Sequence, residues 1–246
     1  MKLETFSLDI DADGIAVATF DVPGRSMNTL TARAIQDLAA IADEVGSNAM
    51  IKGLVLTSGQ TSGFCAGADL GELGGDSGGG SDKGDPEAQL KAAFDRSFQM
   101  NKILRNLETC KKPVAAAING LALGGGLEVV LGCHYRIAAN DNPKLQLGLP
   151  EAKVGLMPGG GGTQRLPRLI GAGPALDMIL GGNPVPAAKA AELGLVDRVV
   201  EDGKLEEAAL AFAAETLAQG GPWPRVRDKA VAGGLDDLEP VKAKYK

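Results

Sequence analysis

The sequence predicts an α/β domain in which strands alternate with helices. Two apolar runs, residues 53–57 and 113–118, have the length and composition of buried strands, and each leads into a turn rich in glycine and small residues. Apolar residues at helical spacing lie before and between these runs. With 44% hydrophobic residues among 246, the chain has enough apolar material for the core of one ordinary domain.

The first elements are a hairpin, a helix and a strand. Residues 6–10 and 15–20 alternate polar with apolar side chains around the turn-forming residues 11–14, which predicts a β-hairpin. Apolar residues then recur at helical spacing over 31–45, and residues 53–57 form the next strand.

A second cycle repeats this order. Pro86 suits the first turn of a helix over 86–107, residues 113–118 form a strand, and another helix begins near Gly126. Between the two cycles, residues 71–85 contain seven glycines and almost no large apolar side chain. Such a segment cannot bury enough surface to offset its ordering entropy, so we expect a mobile surface loop.

Beyond residue 171 the pattern becomes mainly helical. The expected elements are helices over 174–180, 186–193 and 205–218, with a short strand over 195–200. From Gly220 the chain becomes charged and is typical of an arm or linker. We therefore divide the chain into a core of residues 1–200 and a C-terminal helix and charged tail of residues 201–246.

Composition excludes several classes of function. The formal charge is −6, and no basic run is interleaved with aromatic residues, so nucleic acid is not an expected partner. Residues 1–10 carry acids and lack a basic leader followed by a long apolar stretch, so we expect no secretion signal. Polar or glycine residues interrupt every apolar stretch, so we expect no membrane span.

The cysteines and the single histidine indicate a reducing cytoplasm and no metal centre. Cys65, Cys110 and Cys133 are odd in number and widely spaced, which argues against a disulfide framework and against a zinc site. His134 begins a strand-like segment, for which we expect a structural role.

Two glycine turns form a candidate anion site. Residues 64–70 and 120–128 both follow a strand and lead into a helix, where backbone N–H groups lack partners and can hold an oxyanion. Either turn alone is more often a simple tight turn, but two together weaken that alternative. The nucleotide-phosphate and dinucleotide motifs fail, because Gly126 is followed by Leu127 and Glu128.

Five segments, in the right order, resemble the crotonase, or enoyl-CoA hydratase, superfamily. They are residues 64–70, 120–128, 147–154, 155–166 and 187–197. The resemblance covers about residues 5–200 and includes two glutamates, Glu128 just after the glycine triplet and Glu151 after Pro150. It implies a crotonase-like spiral of ββα units with a helical C-terminal region.

The resemblance also implies a set of site residues. An oxyanion hole would consist of the backbone N–H groups of Ala68 and Gly125, and the catalytic pair would be Glu128 and Glu151. The residues that would contact the substrate and its coenzyme A are Arg25, Met27, Ala66, Gly67, Asp69, Leu70 and Gly124.

The implied activity is hydration of a 2-enoyl-CoA thioester to a 3-hydroxyacyl-CoA in fatty-acid β-oxidation. Members of the superfamily with other chemistries commonly replace one or both glutamates, so the presence of both favours a hydratase. Coenzyme A is part of the substrate, and the reaction requires no metal or redox cofactor. The alternatives are an enoyl-CoA isomerase that uses Glu151 as its main proton shuttle, and a non-catalytic subunit that binds acyl-CoA.

The chain also departs from the family pattern. Residues 139–144 form a slightly longer connection than usual. After Gly220 the sequence does not resemble the long C-terminal region through which many members trimerise, and is closer to the hydratase part of a multifunctional fatty-acid oxidation protein. We therefore expect either a homo-oligomer or a part of such a multifunctional β-oxidation protein.

Overall fold

The computed structural model describes residues 2–74, 85–140 and 142–245. Its strands are β1 (Phe6–Ile10), β2 (Ile15–Phe20), β3 (Gly53–Ser58), β4 (Gly63–Cys65), β5 (Val114–Ile118), β6 (Leu121–Leu123), β7 (Tyr135–Ala139), β8 (Leu147–Gly148) and β9 (Arg198–Val200). Its α-helices are α1 (Ala32–Ser47), α2 (Leu70–Gly74), α3 (Pro86–Thr109), α4 (Gly125–Leu131), α5 (Gly162–Ile170), α6 (Ala172–Gly181), α7 (Ala187–Glu192), α8 (Leu205–Gln219) and α9 (Glu239–Lys244). Short 3-10 helices cover Pro150–Val154, Asp202–Lys204, Val226–Asp228 and Leu235–Leu238.

The larger sheet has the strand order β1-β2-β3-β5-β7-β9. β1 and β2 form the predicted antiparallel hairpin, and every other neighbouring pair runs parallel. β5 is buried along its whole length, and α8 packs against β3, β5 and β7. Parallel strands in an α/β protein are covered on both faces, which explains why these strands read as continuous apolar runs. The predicted α/β class is confirmed.

A second sheet of three short parallel strands, β4-β6-β8, carries the two glycine turns. Its register pairs Gly63 with Leu121 and Ala122 with Leu147. These strands are not predictable from the sequence, because two or three residues rich in glycine and alanine give no periodic signal. The pairing depends on partners that are distant in the sequence.

The expectation of a loop over residues 71–85 is wrong at its start, where α2 forms. The Asp69 carboxylate accepts hydrogen bonds from the backbone N–H groups of Gly71, at 2.9 Å, and Glu72, at 3.2 Å, and so caps the first turn. Glu72 accepts in turn from the N–H of Ala32 at 2.6 Å, which ties α2 to α1. The remainder of that expected loop, residues 75–84, lies outside the described residues.

The C-terminal part of the chain packs on the body of the protein. Val226–Asp228 contacts α5, while Leu235–Leu238 and α9 both contact α6. Val226 is buried, and the Lys244 ammonium lies 2.7 Å from the Asp177 carboxylate. The residues after Gly220 thus have fixed contacts, and the division of the chain at residue 200 stays a prediction.

His134 is buried between β5 and α3. Its Nδ1 accepts from the Val114 N–H at 3.1 Å, so the proton lies on Nε2, which donates to the Glu108 carbonyl oxygen at 3.1 Å. Burial lowers the pKa of His134 to about 4, so the ring is neutral and fastens α3 to the sheet.

None of the described helices is long and apolar enough to cross a membrane.

Candidate active site

The first glycine turn is anchored through Asn28. The Asn28 amide group donates to the Phe20 carbonyl at 2.8 Å and to the Phe64 carbonyl at 3.2 Å, and its side-chain oxygen accepts from the Val22 N–H at 2.9 Å. Its backbone oxygen accepts from the N–H of Ala66 at 2.9 Å. One buried side chain therefore fastens the entry to the turn onto β2 and β4.

The two glycine turns approach each other at Gly67. This residue has φ of +104°, and a Cβ at this position would lie 2.9 Å from the carbonyl oxygen of Leu123. A side chain would strain the backbone and force the turns apart. The carbonyl oxygen of Gly67 also accepts a hydrogen bond from the Leu30 N–H at 2.8 Å, which ties this turn to the residues before α1.

The backbone N–H groups of Ala68 and Gly125 lie near each other at this junction. A Cβ built on Gly125 would be 3.7 Å from the Ala68 nitrogen, and one built on Gly67 would be 3.5 Å from the Gly125 nitrogen. In the described part of the chain, neither N–H donates a hydrogen bond to a protein acceptor. Two unpaired donors beside each other can stabilise a developing oxyanion.

Glu128 lies in the first turn of α4, three residues after Gly125, and only 3% of its surface is exposed. The Gly162 N–H donates to Glu128 Oε1 at 2.7 Å, and the backbone of Gly160 packs against Oε2. Burial raises the pKa of Glu128, while the backbone N–H groups of Gly162 and Gly160 and the nearby charge of Arg165 oppose that rise. The carboxylate is thus held in place by backbone groups.

Glu151 approaches the same junction from the other side, in the 3-10 helix Pro150–Val154. Its Oε1 would lie 3.1 Å from a Cβ built on Gly124, the residue before the Gly125 donor. Its Oε2 is buried and has no hydrogen-bond partner among the described residues. Burial raises the pKa of Glu151 to about 7, and repulsion from Glu128 adds to the rise.

The residues expected to contact coenzyme A form two groups. Ala66, Gly67 and Gly124 are part of the glycine turns described above. Arg25 forms an ion pair with Asp69 and donates to the Thr29 hydroxyl at 3.0 Å. The hydrogen bond from Arg25 holds the pKa of Asp69 below its usual range, so the two charges neutralise each other.

Met27 and Leu70 flank this pair differently. Met27 is half-buried and accepts a hydrogen bond from the Ser62 hydroxyl at 3.6 Å on its sulfur. Leu70 is 60% exposed at the start of α2. The expected contact residues therefore include an apolar side chain open to solvent beside a neutralised ion pair, and their roles toward coenzyme A stay a prediction.

The cysteines do not offer a competing nucleophile near the glycine turns. Burial raises the pKa of both Cys65 and Cys133 to about 12, so both thiols are protonated at neutral pH. Cys110, farther along the chain, also has a raised pKa because of burial. The carboxyl group of Glu151 lies at the junction beside Gly124, and Glu128 is near enough to repel its charge.

Two features of the site escaped the sequence analysis. Asn28 is not among the expected site residues, although its hydrogen bonds with the Phe64 carbonyl and the Ala66 N–H hold the first turn. The segment 155–166 carries part of the family resemblance, but the sequence does not predict that the Gly162 N–H donates to Glu128. A glycine run after a carboxylate-bearing motif is a weak signal for such donors.

The parallel-sheet architecture with its two facing glycine turns defines a crotonase-type fold, and solved structures bear this out. An enoyl-CoA hydratase from Bacillus anthracis is 36% identical, with a TM-score of 0.75 over 89% of this chain and 78% of that one. DspI from Pseudomonas aeruginosa is 31% identical, with a TM-score of 0.76 over 99% of this chain and 88% of that one. A profile of the family described as Enoyl-CoA hydratase/isomerase matches residues 11–232. The chain belongs to the enoyl-CoA hydratase/isomerase family and is an enzyme of the crotonase superfamily.

Curated relatives are much longer than this chain. The fatty acid oxidation complex subunit alpha of Shewanella amazonensis is 45% identical over 210 residues, which are 85% of this chain and 28% of that protein. The corresponding subunit of Shewanella loihica is 43% identical over the same shares. The chain therefore spans a little over a quarter of the length of the curated relatives it matches.

Proposed function

We propose that the chain is an enoyl-CoA hydratase that adds water across the C2–C3 double bond of 2-enoyl-CoA thioesters in fatty-acid β-oxidation. The observation that carries this proposal is the placement of the Glu151 carboxyl group beside Gly124, next to the paired N–H groups of Ala68 and Gly125 and close enough to Glu128 for the two charges to repel. Two carboxylates and two unpaired donors are the groups that the reaction needs. Family membership and the relatives in fatty acid oxidation complexes support the same substrate class.

The oxyanion donors act on the thioester. As the oxygen of water bonds to C3, the electron pair of the C2–C3 bond moves toward the thioester oxygen, which becomes an enolate oxygen. The N–H groups of Ala68 and Gly125 bind this charged oxygen more strongly than the neutral carbonyl of the substrate. Removal of one such donor typically costs about 3 kcal/mol of transition-state stabilisation.

The glutamates divide the proton transfers. Glu128, held by the backbone donors of the Gly160–Gly162 segment, orients water and accepts its proton. Glu151 has a pKa of about 7, so both protonation states are accessible near neutral pH, and its acid form can deliver the proton to C2. The enolate electron pair forms the new C2–H bond, the proton taken up by Glu128 then passes to Glu151 and restores both carboxyl groups, and dehydration reverses each step. Only water is added, so the reaction is redox-neutral and coenzyme A enters solely as part of the substrate.

A second candidate function is supported by Glu151 itself. A single carboxyl group with a pKa of about 7 and a buried, unpaired Oε2 can carry a proton between C4 and C2 of a 3-enoyl-CoA, as an isomerase requires. Hydration is preferred because isomerisation leaves the buried Glu128 and its Gly162 donor without a catalytic task.

The test compares two substrates with the purified chain. We expect a 2-enoyl-CoA to lose its conjugated absorbance with formation of 3-hydroxyacyl-CoA, at a kcat/KM well above that for conversion of a 3-enoyl-CoA to a 2-enoyl-CoA. The reverse preference would replace the hydratase by the isomerase. Binding of a saturated acyl-CoA without turnover of either substrate would instead indicate a non-catalytic binding subunit.

We further propose that the chain acts within an assembly, either a homo-oligomer or a multifunctional β-oxidation protein. Its relatives are subunits of fatty acid oxidation complexes, and it exposes large apolar side chains on α3, where Phe94 and Phe98 stack at 5.5 Å. Light scattering on the purified chain would distinguish a monomer from an oligomer.

A further inference from the structure

The segment that holds Glu128 is packed directly against its carboxylate. A Cβ built on Gly160 would lie 2.7 Å from Glu128 Oε2, and one built on Gly162 would lie 3.0 Å from Oε1. Both residues are buried, and the N–H group of Gly162 donates to the carboxylate. A small displacement of this segment would therefore change the position of Glu128 and the strength of its hydrogen bonds.

Arg165, in the first turn of α5, fastens this segment from behind. Its side chain is 1% exposed, and its Nη1 donates to the carbonyl oxygen of Gly160 at 3.0 Å. Its Nε and Nη2 donate to the two carboxylate oxygens of Glu108, at 2.8 and 3.1 Å. One guanidinium thus joins the end of α3 to the segment that holds Glu128.

Glu108 is itself a fixed anchor. Its side chain is almost fully buried, and its backbone carbonyl accepts the hydrogen bond from His134 Nε2. A bidentate pairing with a planar guanidinium restricts both side chains to one geometry, which a lysine cannot reproduce. A buried ion pair contributes little net stability compared with apolar residues of similar volume. The main effect of this pair is therefore to fix the geometry of the groups that it joins.

We infer that Arg165, fixed by Glu108, is a positioning residue that sets the location and ionisation of Glu128 through the Gly160–Gly162 segment. This inference rests on the proposed function, in which Glu128 orients and activates water. The direct charge of Arg165 acts in the same direction as the Gly162 N–H donor, because each favours the ionised carboxylate.

The first test is Arg165→Lys in the full chain, which keeps the positive charge and removes the planar guanidinium group. We expect kcat for hydration to fall about 10- to 100-fold, since small misplacements of catalytic groups have effects of this size. Binding of a saturated acyl-CoA should change less than about twofold, because the thioester is held by other groups. The acid limb of the kcat/KM profile should move to higher pH as Glu128 loses stabilisation of its charged form.

Arg136→Lys is the matched control. Arg136 is equally buried, donates to the Cys133 carbonyl at 2.9 Å and pairs with Asp197 at 2.8 Å, but it contacts neither glutamate of the site. Arg136→Lys should lower the free energy of unfolding about as much as Arg165→Lys does, while leaving kcat and the pH profile unchanged. Equal losses of kcat in the two variants would show that the effect of Arg165 is merely structural.

A second measurement does not depend on the reaction. Carbon-13 NMR of labelled glutamate carboxyl groups, with Glu128 assigned through Glu128→Gln, reports the titration of this residue directly. We expect its midpoint to move to higher pH in Arg165→Lys and to stay unchanged in Arg136→Lys. A chain that hydrates no enoyl-CoA but shows this shift would refute the proposed function and keep the positioning role, whereas an unmoved midpoint overturns the inference.

The charge-neutral variant Glu108→Gln/Arg165→Gln covers the case in which Arg165→Lys fails to fold. Replacing both partners removes the ion pair without leaving either charge buried alone, which proteins often tolerate. The Glu128 midpoint should again rise, because the charge of Arg165 and its tie to Gly160 are both gone. If the midpoint stays where it is in the wild type, Arg165 does not control Glu128.

Discussion

Replacing Glu151 by glutamine should stabilise the protein at alkaline pH. Burial raises the pKa of Glu151 from 4.5 to about 7, so the folded state binds this proton more tightly than the unfolded chain does. For an acid whose pKa is raised on folding, the favourable contribution is present at low pH and is lost as pH rises from 4.5 through 7. Glutamine cannot ionise, so the variant should not suffer this loss.

The magnitude follows from the shift. The change from 4.5 to about 7, at about 1.4 kcal/mol per pKa unit, sets an upper limit of about 3 kcal/mol at pH 8.5, but less than about 1 kcal/mol at pH 5. Glu151 is only partly buried, and solvent screening reduces the expected difference between the two pH values to about 2 kcal/mol. Changes in packing or hydrogen bonding caused by the substitution are the same at both pH values and cancel.

Urea unfolding followed by circular dichroism at pH 5 and pH 8.5 provides the measurement. From pH 5 to pH 8.5, the free energy of unfolding of Glu151→Gln should increase by about 2 kcal/mol relative to that of the wild type. Glu206→Gln, at an exposed position on α8, is the control and should change by less than about 0.5 kcal/mol. An equally flat result for Glu151→Gln would refute a buried, unpaired carboxyl group at this position.

Two further predictions concern a backbone donor and a buried ring. Gly125→Pro removes the proposed N–H donor at a first helical position that proline tolerates, so it should lower the rate of hydration at least about 100-fold in folded protein. Gly125→Ala adds a Cβ near Leu30 but keeps the N–H, so its rate of hydration should fall far less. Near-normal turnover of the proline variant would remove Gly125 from the oxyanion hole. His134 has a pKa lowered to about 4, so its contribution to stability is complete above 6.5 and is lost as pH falls toward 4. Urea unfolding should show that the wild type loses about 2 kcal/mol more than His134→Gln between pH 7 and pH 5, and parallel pH profiles would contradict this assignment.

Local sequence signals were sufficient for the elements of the larger sheet. β3 and β5 were predicted to within one residue at each end, because long apolar runs bounded by turn residues leave few alternatives. β4, β6 and β8 were missed because their stability comes from pairing with distant residues. α5 was missed because it begins in a glycine run and contains Pro167, which conceals its helical signal.

The candidate site divides in the same way. The glycine turns and both glutamates were identified from compact motifs and from the resemblance to the crotonase superfamily. The ion pair of Arg25 with Asp69, and that of Arg165 with Glu108, join residues far apart in the sequence, so no local pattern could indicate them. These pairs show which charges are neutralised in the fold, and this information exists only in three dimensions.

The measurement that tests the central claim most directly is hydration of a 2-enoyl-CoA by Glu128→Gln and Glu151→Gln, together with calorimetric binding of a saturated acyl-CoA. Glutamine keeps the size of the side chain but cannot carry the proton, so each variant should lose about 100- to 10,000-fold in kcat while binding survives. Because both residues serve the same addition of water to one double bond, the double variant should be little worse than the worse single one. Two fully active single variants would contradict the mechanism, and loss of binding together with activity would assign these glutamates a structural role.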